Sequence, residues 1–230
     1  MEEIWVCHLG VVDYREALSL QERLREARQA GELPDVLLTL EHPPVYTRGR
    51  RSRPGELPMG EEWYAAQGID VVDTDRGGLV TYHGPGQLVG YPIVRVDDVV
   101  GYVRTLESAV VRALVGEGVV QARSRPREGH RYTGVWVEDR KIASIGVHLS
   151  RGVSTHGFAV NVENDLEPFS WIVPCGLDGV SMTSLLRETG RTPSVMKCFR
   201  RRAAYEVARG LGRRQRLVSL ARLETRVPVA

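Results

Sequence analysis

Three successive segments between Thr133 and Val162 leave this chain little choice of fold. TGVWVED (133–139), KIASIGVHLS (141–150) and STHGFAVNV (154–162) each alternate apolar and polar residues with the period of a half-buried strand. The turn at Glu138 to Arg140 is far too short to hold a crossover helix, so the first two strands must run antiparallel, and the third follows them. Any fold for this chain is therefore built around an antiparallel block of sheet with one face against a core.

The flanking sequence supplies the other elements. IWVCHLGVV reads as a first strand, and from Tyr14 to Ala30 the residues Ala17, Leu18, Leu20 and Leu24 recur at helical spacing, with Gly31 as the stop. DVLLTLEH is a short buried strand halted by Pro43 and Pro44. Thr47 to Gly60 combines Arg, Gly and Pro without periodicity and reads as an exposed loop, followed by a short helix at Glu61 to Gln67 and the strand IDVVDTD. RGGLVTYHGPGQLVGYP (76–92) is strand-like but dense in glycine, which lets backbone approach a ligand or another strand closely, and HGPG predicts a tight hairpin turn. Val99 to Val115 is a second amphipathic helix, and VVQARSR is a further strand before a polar loop at Arg125 to Arg131. Beyond the loop at Glu163 to Pro174, closing helices are expected at Met182 to Glu188 and Ser194 to Arg209. Helices and strands intermix over 230 residues with no linker or repeat, so residues 1–230 read as a single α/β (α+β) domain.

Several function classes are disfavoured. The net charge is +2 and no basic run is interleaved with aromatics, so nucleic acid is not an expected partner. No apolar run reaches the length of a membrane span, and MEEIWVCHLG lacks the basic region and long apolar core of a signal peptide, which predicts a cytoplasmic protein. Cys7, Cys175 and Cys198 are odd in number and widely spaced, which fits reduced thiols, and six His without ligand spacing argue against a metal. The Gly-rich stretch matches neither GxxxxGK[ST] nor GxGxxG.

Two residues stand out chemically. Of 31 basic residues only Lys141 and Lys197 are lysine, so arginine fills nearly every place where a positive charge alone would serve. Arginine is permanently protonated, whereas a lysine can release its proton and act as a base. Lys197 sits among Arg200, Arg201 and Arg202, whereas Lys141 opens a strand. Cys175 lies in PCG, between a rigid and a permissive residue that favour a tight turn presenting a thiol. A lone intracellular thiol is ordinarily a structural one, and Cys7 and Cys198 are read that way. A thiol near a lysine suits acyl transfer, because a thioester is attacked by an amine more readily than by water at comparable positioning. His83 is either a hydrogen-bonded structural imidazole or a substrate-site residue.

Taken together, RGGLVTYHGPGQLVGYP, GVWVEDRKIASIGVH, THGFAVNV and IVPCG followed by TSL resemble the lipoyl(octanoyl) transferase family, in the family's order and over most of the chain. The resemblance implies a fold shared with biotin and lipoate protein ligases, with a large mixed sheet, a smaller sheet and surrounding helices. It implies transfer of an octanoyl (or lipoyl) group from acyl carrier protein to a lysine of lipoyl domains, those of 2-oxoacid dehydrogenase E2 subunits and the glycine-cleavage H protein, with no cofactor. Cys175 then matches the acyl-thioester nucleophile, and Lys141 the residue that lowers its pKa. Arg76, Gly77, Gly78, Leu79, Val80, Thr81, Tyr82 and His83 match a substrate-binding strand and turn. Ser144, Ile145 and Gly146, with His156, Gly157, Phe158 and Ala159, match strands lining the acyl site. Backbone amides near Gly146, Val147 or Cys175 are alternatives for binding the tetrahedral oxyanion. Because acyl carrier proteins are acidic, Arg48, Arg50, Arg51 and Arg53 are candidates for a steering patch.

Two other classes share part of this pattern: an ATP-dependent lipoate or biotin protein ligase, and a noncatalytic lipoyl-domain binding module. A ligase that activates its acid as an adenylate needs no nucleophilic thiol, and a binding module would leave Cys175 structural.

Overall fold

The computed structural model describes residues 2–173, 180–190 and 195–227. Among the described residues eleven strands fall into two sheets. β1 (Glu3–Val11), β2 (Asp35–Glu41), β6 (Gln87–Ile93), β7 (Ala122–Ser124), β8 (Gly134–Val137), β9 (Arg140–Ser150), β10 (Val153–Asn161) and β11 (Arg214–Leu217) form the large sheet. Their order is β11-β1-β2-β6-β10-β9-β8-β7, and the sheet is mixed, with β1 parallel to both β2 and β11 and the remaining pairs antiparallel. β3 (Val45–Arg48), β4 (Asp70–Asp73) and β5 (Thr81–His83) form the small sheet, in the order β4-β3-β5. The antiparallel block expected from residues 133–162 is β8-β9-β10.

Helices cover both faces of the large sheet. α1 (Tyr14–Ala30) is capped by the Asp13 carboxylate, which accepts from the backbone N–H groups of Arg15 and Glu16, and is stopped by Gly31 at φ 79°. Its buried stripe of Ala17, Leu20, Leu24 and Ala27 packs on Leu38, Leu40, Val89 and Ala159. On the other face α3 (Val99–Gly116) and α5 (Val195–Gly210) bury Leu106, Val110, Phe199 and Val207 against Val6, Leu37, Leu88 and Val160. A third, aromatic cluster joins the small sheet to α2 (Glu61–Ala66) and the 167–171 turn through Tyr46, Tyr64, Tyr82 and Phe169. No helix among the described residues is long and apolar enough to cross a membrane.

Three sequence expectations need correction, and one segment carried none. HGPG is not the tip of a hairpin, since β5 pairs with β3 in the small sheet while β6 pairs with β2 and β10 in the large one. The chain changes sheets there, through a turn closed by Gln87 N–H on the Gly84 carbonyl (3.1 Å) and made possible by Gly86 at φ 82°. The loop assigned to 47–60 begins two residues too early, because Thr47 and Arg48 belong to β3. Met182 is not helical. It bridges to Lys141 as an added strand residue, and the helix α4 (Leu185–Thr189) starts only after its Ser184 cap. Beyond Arg209 the chain forms β11 and α6 (Leu220–Glu224), missed because RQRL carries no apolar alternation. β11 is an exposed edge strand, tied to β1 by backbone pairing and by Arg214 on Glu3 at 2.5 Å.

Where β6 meets β10, Gly90 lies beneath the Phe158 ring, and a methyl group there would sit 2.2 Å from it. Gly90→Ala must therefore push the ring off its rotamer, at a cost of about 1–3 kcal/mol. For a chain of this size the expected fall in Tm is about 3–10 °C by calorimetry, and an unchanged Tm would mean that the ring relaxes freely.

Candidate active site

A cleft of about 330 Å³ opens along β9, and most of its wall comes from β9, β10 and the segment 76–83. Its location follows from strand pairing. β8 covers β9 only from Arg140 to Ser144, and among the described residues the rest of that edge has no strand neighbour. Gly77 fills part of the gap by donating its N–H to the Val147 carbonyl at 3.0 Å. A side chain at Gly146 would strike the Gly77 carbonyl at 2.7 Å, so this close approach requires glycine.

Lys141, the second residue of β9, is only 2% exposed and lines the cleft. An irregularity in the β8-β9 register sets it opposite Trp136, with Nζ 5.3 Å from the indole centroid, while Ile142 and Ala143 both enter the helix-side core. Its backbone is held from the far side, since Lys141 N–H donates to Ser181 O (2.9 Å) and Thr183 N–H donates to Lys141 O (3.0 Å). Gly134, at φ 133°, is pinned by the buried Glu107 carboxylate of α3, which accepts its N–H at 2.9 Å. A methyl group on Gly134 would lie 2.9 Å from Lys141 Cε, so the lysine stem runs in a tight channel.

The segment 76–83 is braced from two sides. Arg76 is buried, and its guanidinium donates to the Thr47 carbonyl (2.6 Å) and hydroxyl (2.7 Å) of β3. Asp75 is clasped between two imidazoles, His156 Nε2 at 2.7 Å and His148 Nε2 at 3.3 Å, which project from β10 and β9. The His156 hydrogen bond holds the Asp75 carboxyl below its ordinary range. His156 has φ 56°, uncommon for a strand residue, and its N–H is satisfied by the Gln21 side chain of α1 at 2.7 Å.

The rear of the cleft is a buried polar network. His83 Nδ1 donates to Gln87 Oε1 (2.7 Å), and Gln87 Nε2 donates to Asn161 Oδ1 (3.0 Å). Asn161 Nδ2 donates to the Thr183 carbonyl (3.1 Å), so hydrogen bonds lead from His83 to the residue that holds Lys141. The His83 ring stacks on Tyr14 with centroids 5.9 Å apart and lies 5.7 Å from His42. His42 Nδ1 donates to the Val12 carbonyl and its Nε2 accepts from Tyr91 O–H, both at 2.7 Å. Burial lowers the His42 pKa to about 4, that of His83 well below 6.5, and that of His156 in the same direction. All three are neutral at pH 7, with partners that suit neutral rings.

Of the residues expected from sequence, Lys141, Arg76, Gly77, Gly78, Leu79, Val80, Thr81, His83, Ser144, Ile145, Gly146, His156, Gly157, Phe158 and Ala159 all line this one cleft. Tyr82, their neighbour in β5, faces the other way into the aromatic cluster, 5.5 Å from Tyr46 and 5.4 Å from Phe169. Cys175 lies outside the described residues. Arg48 does not join an exposed patch, because its guanidinium holds Asp73 and Glu61, each at 2.6 Å. Tyr14, Asp75, Tyr91 and His148 were read only as element-forming residues. A carboxylate directly before Arg-Gly-Gly was the one local sign that could have drawn attention to Asp75.

The family described as the lipoyl protein ligase A/B catalytic domain matches residues 13–205. A protein named octanoyltransferase from Rubrobacter xylanophilus is 52% identical over 186 residues, covering 79% of this chain and 82% of its own length. The chain belongs to the octanoyltransferase family. Relatives of the same name from Mycobacterium ulcerans and Chloroflexus aggregans are 49% and 46% identical, covering 83% and 84% of the chain and 81% and 88% of their own lengths. Among solved structures, lipoate-protein ligase A bound with ATP superposes with TM-score 0.75 at 20% identity, covering 98% of this chain and 93% of its own. The putative lipoate protein ligase of Thermoplasma acidophilum gives 0.74 at 19%, covering 96% and 89%. The octanoyltransferase family thus shares its fold with these ligases, as the resemblance implied.

The buried imidazoles make stability depend on acid. Their pKa values are depressed in the folded state, so their contribution is complete above about pH 6.5 and is lost as pH falls below it, for His42 down to about 4, because the unfolded chain takes up protons that the folded chain refuses. Three such groups give a slope of at most about 4 kcal/mol per pH unit. Asp75 adds to the trend below the ordinary carboxylate range. The urea midpoint should fall steeply between pH 6.5 and 4, and a flat profile would show that the folded protein accepts these protons.

Proposed function

We propose that this chain transfers an octanoyl group from acyl carrier protein to a lysine of lipoyl domains through a thioester on Cys175, with residues 1–230 acting as one catalytic unit. The observation that carries the reading is Lys141. In a chain with two lysines, one is buried at the wall of a cleft whose lining includes Leu79, Val80, Val89, Ile145, Val147 and Phe158. Such a wall suits an acyl chain, and seven carbons beyond the carbonyl would contribute about 5 kcal/mol on burial. The described residues flanking 174–179 support the assignment of Cys175: Val173 N–H donates to Glu56 O at 3.1 Å and Ser181 O accepts from Lys141 N–H, and both Glu56 and Lys141 line the cleft.

The chemistry follows from these roles. The Cys175 thiolate attacks the donor's thioester carbonyl, and the carrier sulfur leaves as a thiol with the proton that Lys141, protonated by Cys175 beforehand, gives up, leaving the acyl-enzyme and a neutral Lys141. The acceptor lysine, as a free amine, attacks the new thioester and expels Cys175 sulfur, while Lys141 takes up the proton lost from nitrogen. Arg76, Asp75 and His156 hold the 76–83 wall in place, and closure of the cleft by the bound acyl chain keeps water from the thioester. An adenylate-forming ligase shares the fold but would leave Cys175 without a task, and detection of acyl-adenylate on incubation with ATP and lipoate would favour it.

Two substitutions test the assignment. Cys175→Ser should lose both the octanoyl adduct, read by intact mass, and nearly all transfer, while Cys7→Ala and Cys198→Ala stay active. Cys7 is buried with its thiol pushed up to about 11, and Cys198 is exposed on α5. Lys141→Arg should reduce transfer by about 10² to 10⁴-fold even at a pH where the Cys175 thiol is fully ionised by alkylation kinetics. Arginine cannot accept the proton and is bulkier than the channel beside Gly134. Near-normal transfer by a folded Lys141→Arg protein would reduce Lys141 to an electrostatic role.

A further inference from the structure

The outer rim of the cleft is cationic, and its charges come from two loops far apart in sequence. Arg51 and Arg53 reach the cleft from the loop after β3, and His130 and Arg131 from the turn before β8. Strand pairing explains why they meet. Gly134, at the end of the second loop, pairs with Ser144, while Gly77 bonds to Val147 three residues further along the same edge of β9. At about 3.3 Å per residue the two attachment points are about 10 Å apart. The first loop is layered on the 76–78 segment, since Arg50 N–H donates to Arg76 O (3.0 Å) and Arg51 N–H to Gly78 O (3.1 Å). Its arginines are therefore carried on the wall of the cleft rather than on a detached loop.

The electrostatic state of these side chains differs from that of their neighbours. Arg48 is clamped by Asp73 and Glu61, and Arg125 by Glu128 and Asp139. Among the described residues, by contrast, Arg51, Arg53 and Arg131 form no ion pair, and all three are exposed. Among the described residues the one carboxylate in the cleft lining, Glu56, is buried, and its Oε2 accepts the Val80 N–H at 3.2 Å. Behind the rim the lining includes the apolar side chains of Leu79, Val80, Val89, Ile145, Val147 and Phe158. A ligand matched to this arrangement carries an acyl chain at one end and an anion at the other.

We propose that Arg51, Arg53 and Arg131 hold the phosphodiester of the acyl donor's phosphopantetheine arm, so that the cleft selects a phosphorylated thioester over the same thioester without phosphate. Rigid, forked guanidinium groups suit phosphate oxygens, and three of them converging from two loops fix the arm's direction as well as its charge. The inference rests on the thioester donor proposed above and adds the chemical feature by which the mouth recognises it.

The test compares three donors at low salt: octanoyl-pantetheine, octanoyl-4′-phosphopantetheine and octanoyl-acyl carrier protein, with a lipoyl domain as acceptor. Wild type should prefer the phosphorylated small donor by tenfold or more in kcat/KM, with the preference shrinking as ionic strength rises. In the triple variant Arg51→Gln, Arg53→Gln, Arg131→Gln the ratio between the two small donors should collapse toward one. This ratio is insensitive to partial loss of folded protein. A wild type that uses both small donors equally, or a triple variant that keeps the preference, overturns the inference. Turnover with the carrier protein alone also overturns it while leaving the proposed function standing. No turnover with any donor overturns both.

Discussion

The feature on which the rest of this structure depends is a length of unpaired sheet edge. β8 pairs with β9 only as far as Ser144, whereas β9 runs on to Ser150, so among the described residues the backbone of β9 beyond Ser144 has no strand partner on that side. This part of the edge is half-buried, and Gly77 meets part of its hydrogen-bonding need with one bond at 3.0 Å. Together with Arg76 on Thr47 and Asp75 between His156 and His148, that bond holds the 76–83 segment as a wall, and with it the loop of Arg51 and Arg53. Had β8 been four residues longer, the edge would have been sealed and the cleft would not exist.

Around that edge the protein invests polar groups where an ordinary core would be apolar. His42, His83, His156, Gln87 and Asn161 are all buried, and each is hydrogen-bonded. Such networks define one arrangement sharply, because any displacement strands a polar atom away from water. They also carry the cost seen in the depressed imidazole pKa values: protonation is refused within the fold, and the unfolded chain gains by it in acid. The rear wall is thereby held in one arrangement, while the rim carries exposed arginines.

The kinship with lipoate protein ligases is a kinship of scaffold. At 19–20% identity the superposition extends over nearly the whole chain, so the two-sheet architecture is held while the residues at the site are free to differ. A lysine at the cleft is compatible with both chemistries. What separates them is how the acyl group is activated, and on the present reading this chain uses a thiol.

Much of this was legible in the primary structure. Period-2 alternation over residues 133–162 fixed the meander, and the helical spacing of Ala17, Leu20 and Leu24 with the Gly31 stop fixed α1 to the residue. The Lys-for-Arg economy singled out Lys141 without any neighbour being known. Local pattern reports such things because they depend on which face of one element is buried. Sheet membership does not, and so HGPG was read as a hairpin although β5 and β6 enter different sheets. Nor could local pattern foresee that Arg48 spends its charge on Asp73 and Glu61, that Asp75 is gripped by imidazoles from two other strands, or that a register shift sets Lys141 against Trp136. Those outcomes are set by pairings between segments tens of residues apart, where the free energy lies in the partner and not in the segment itself.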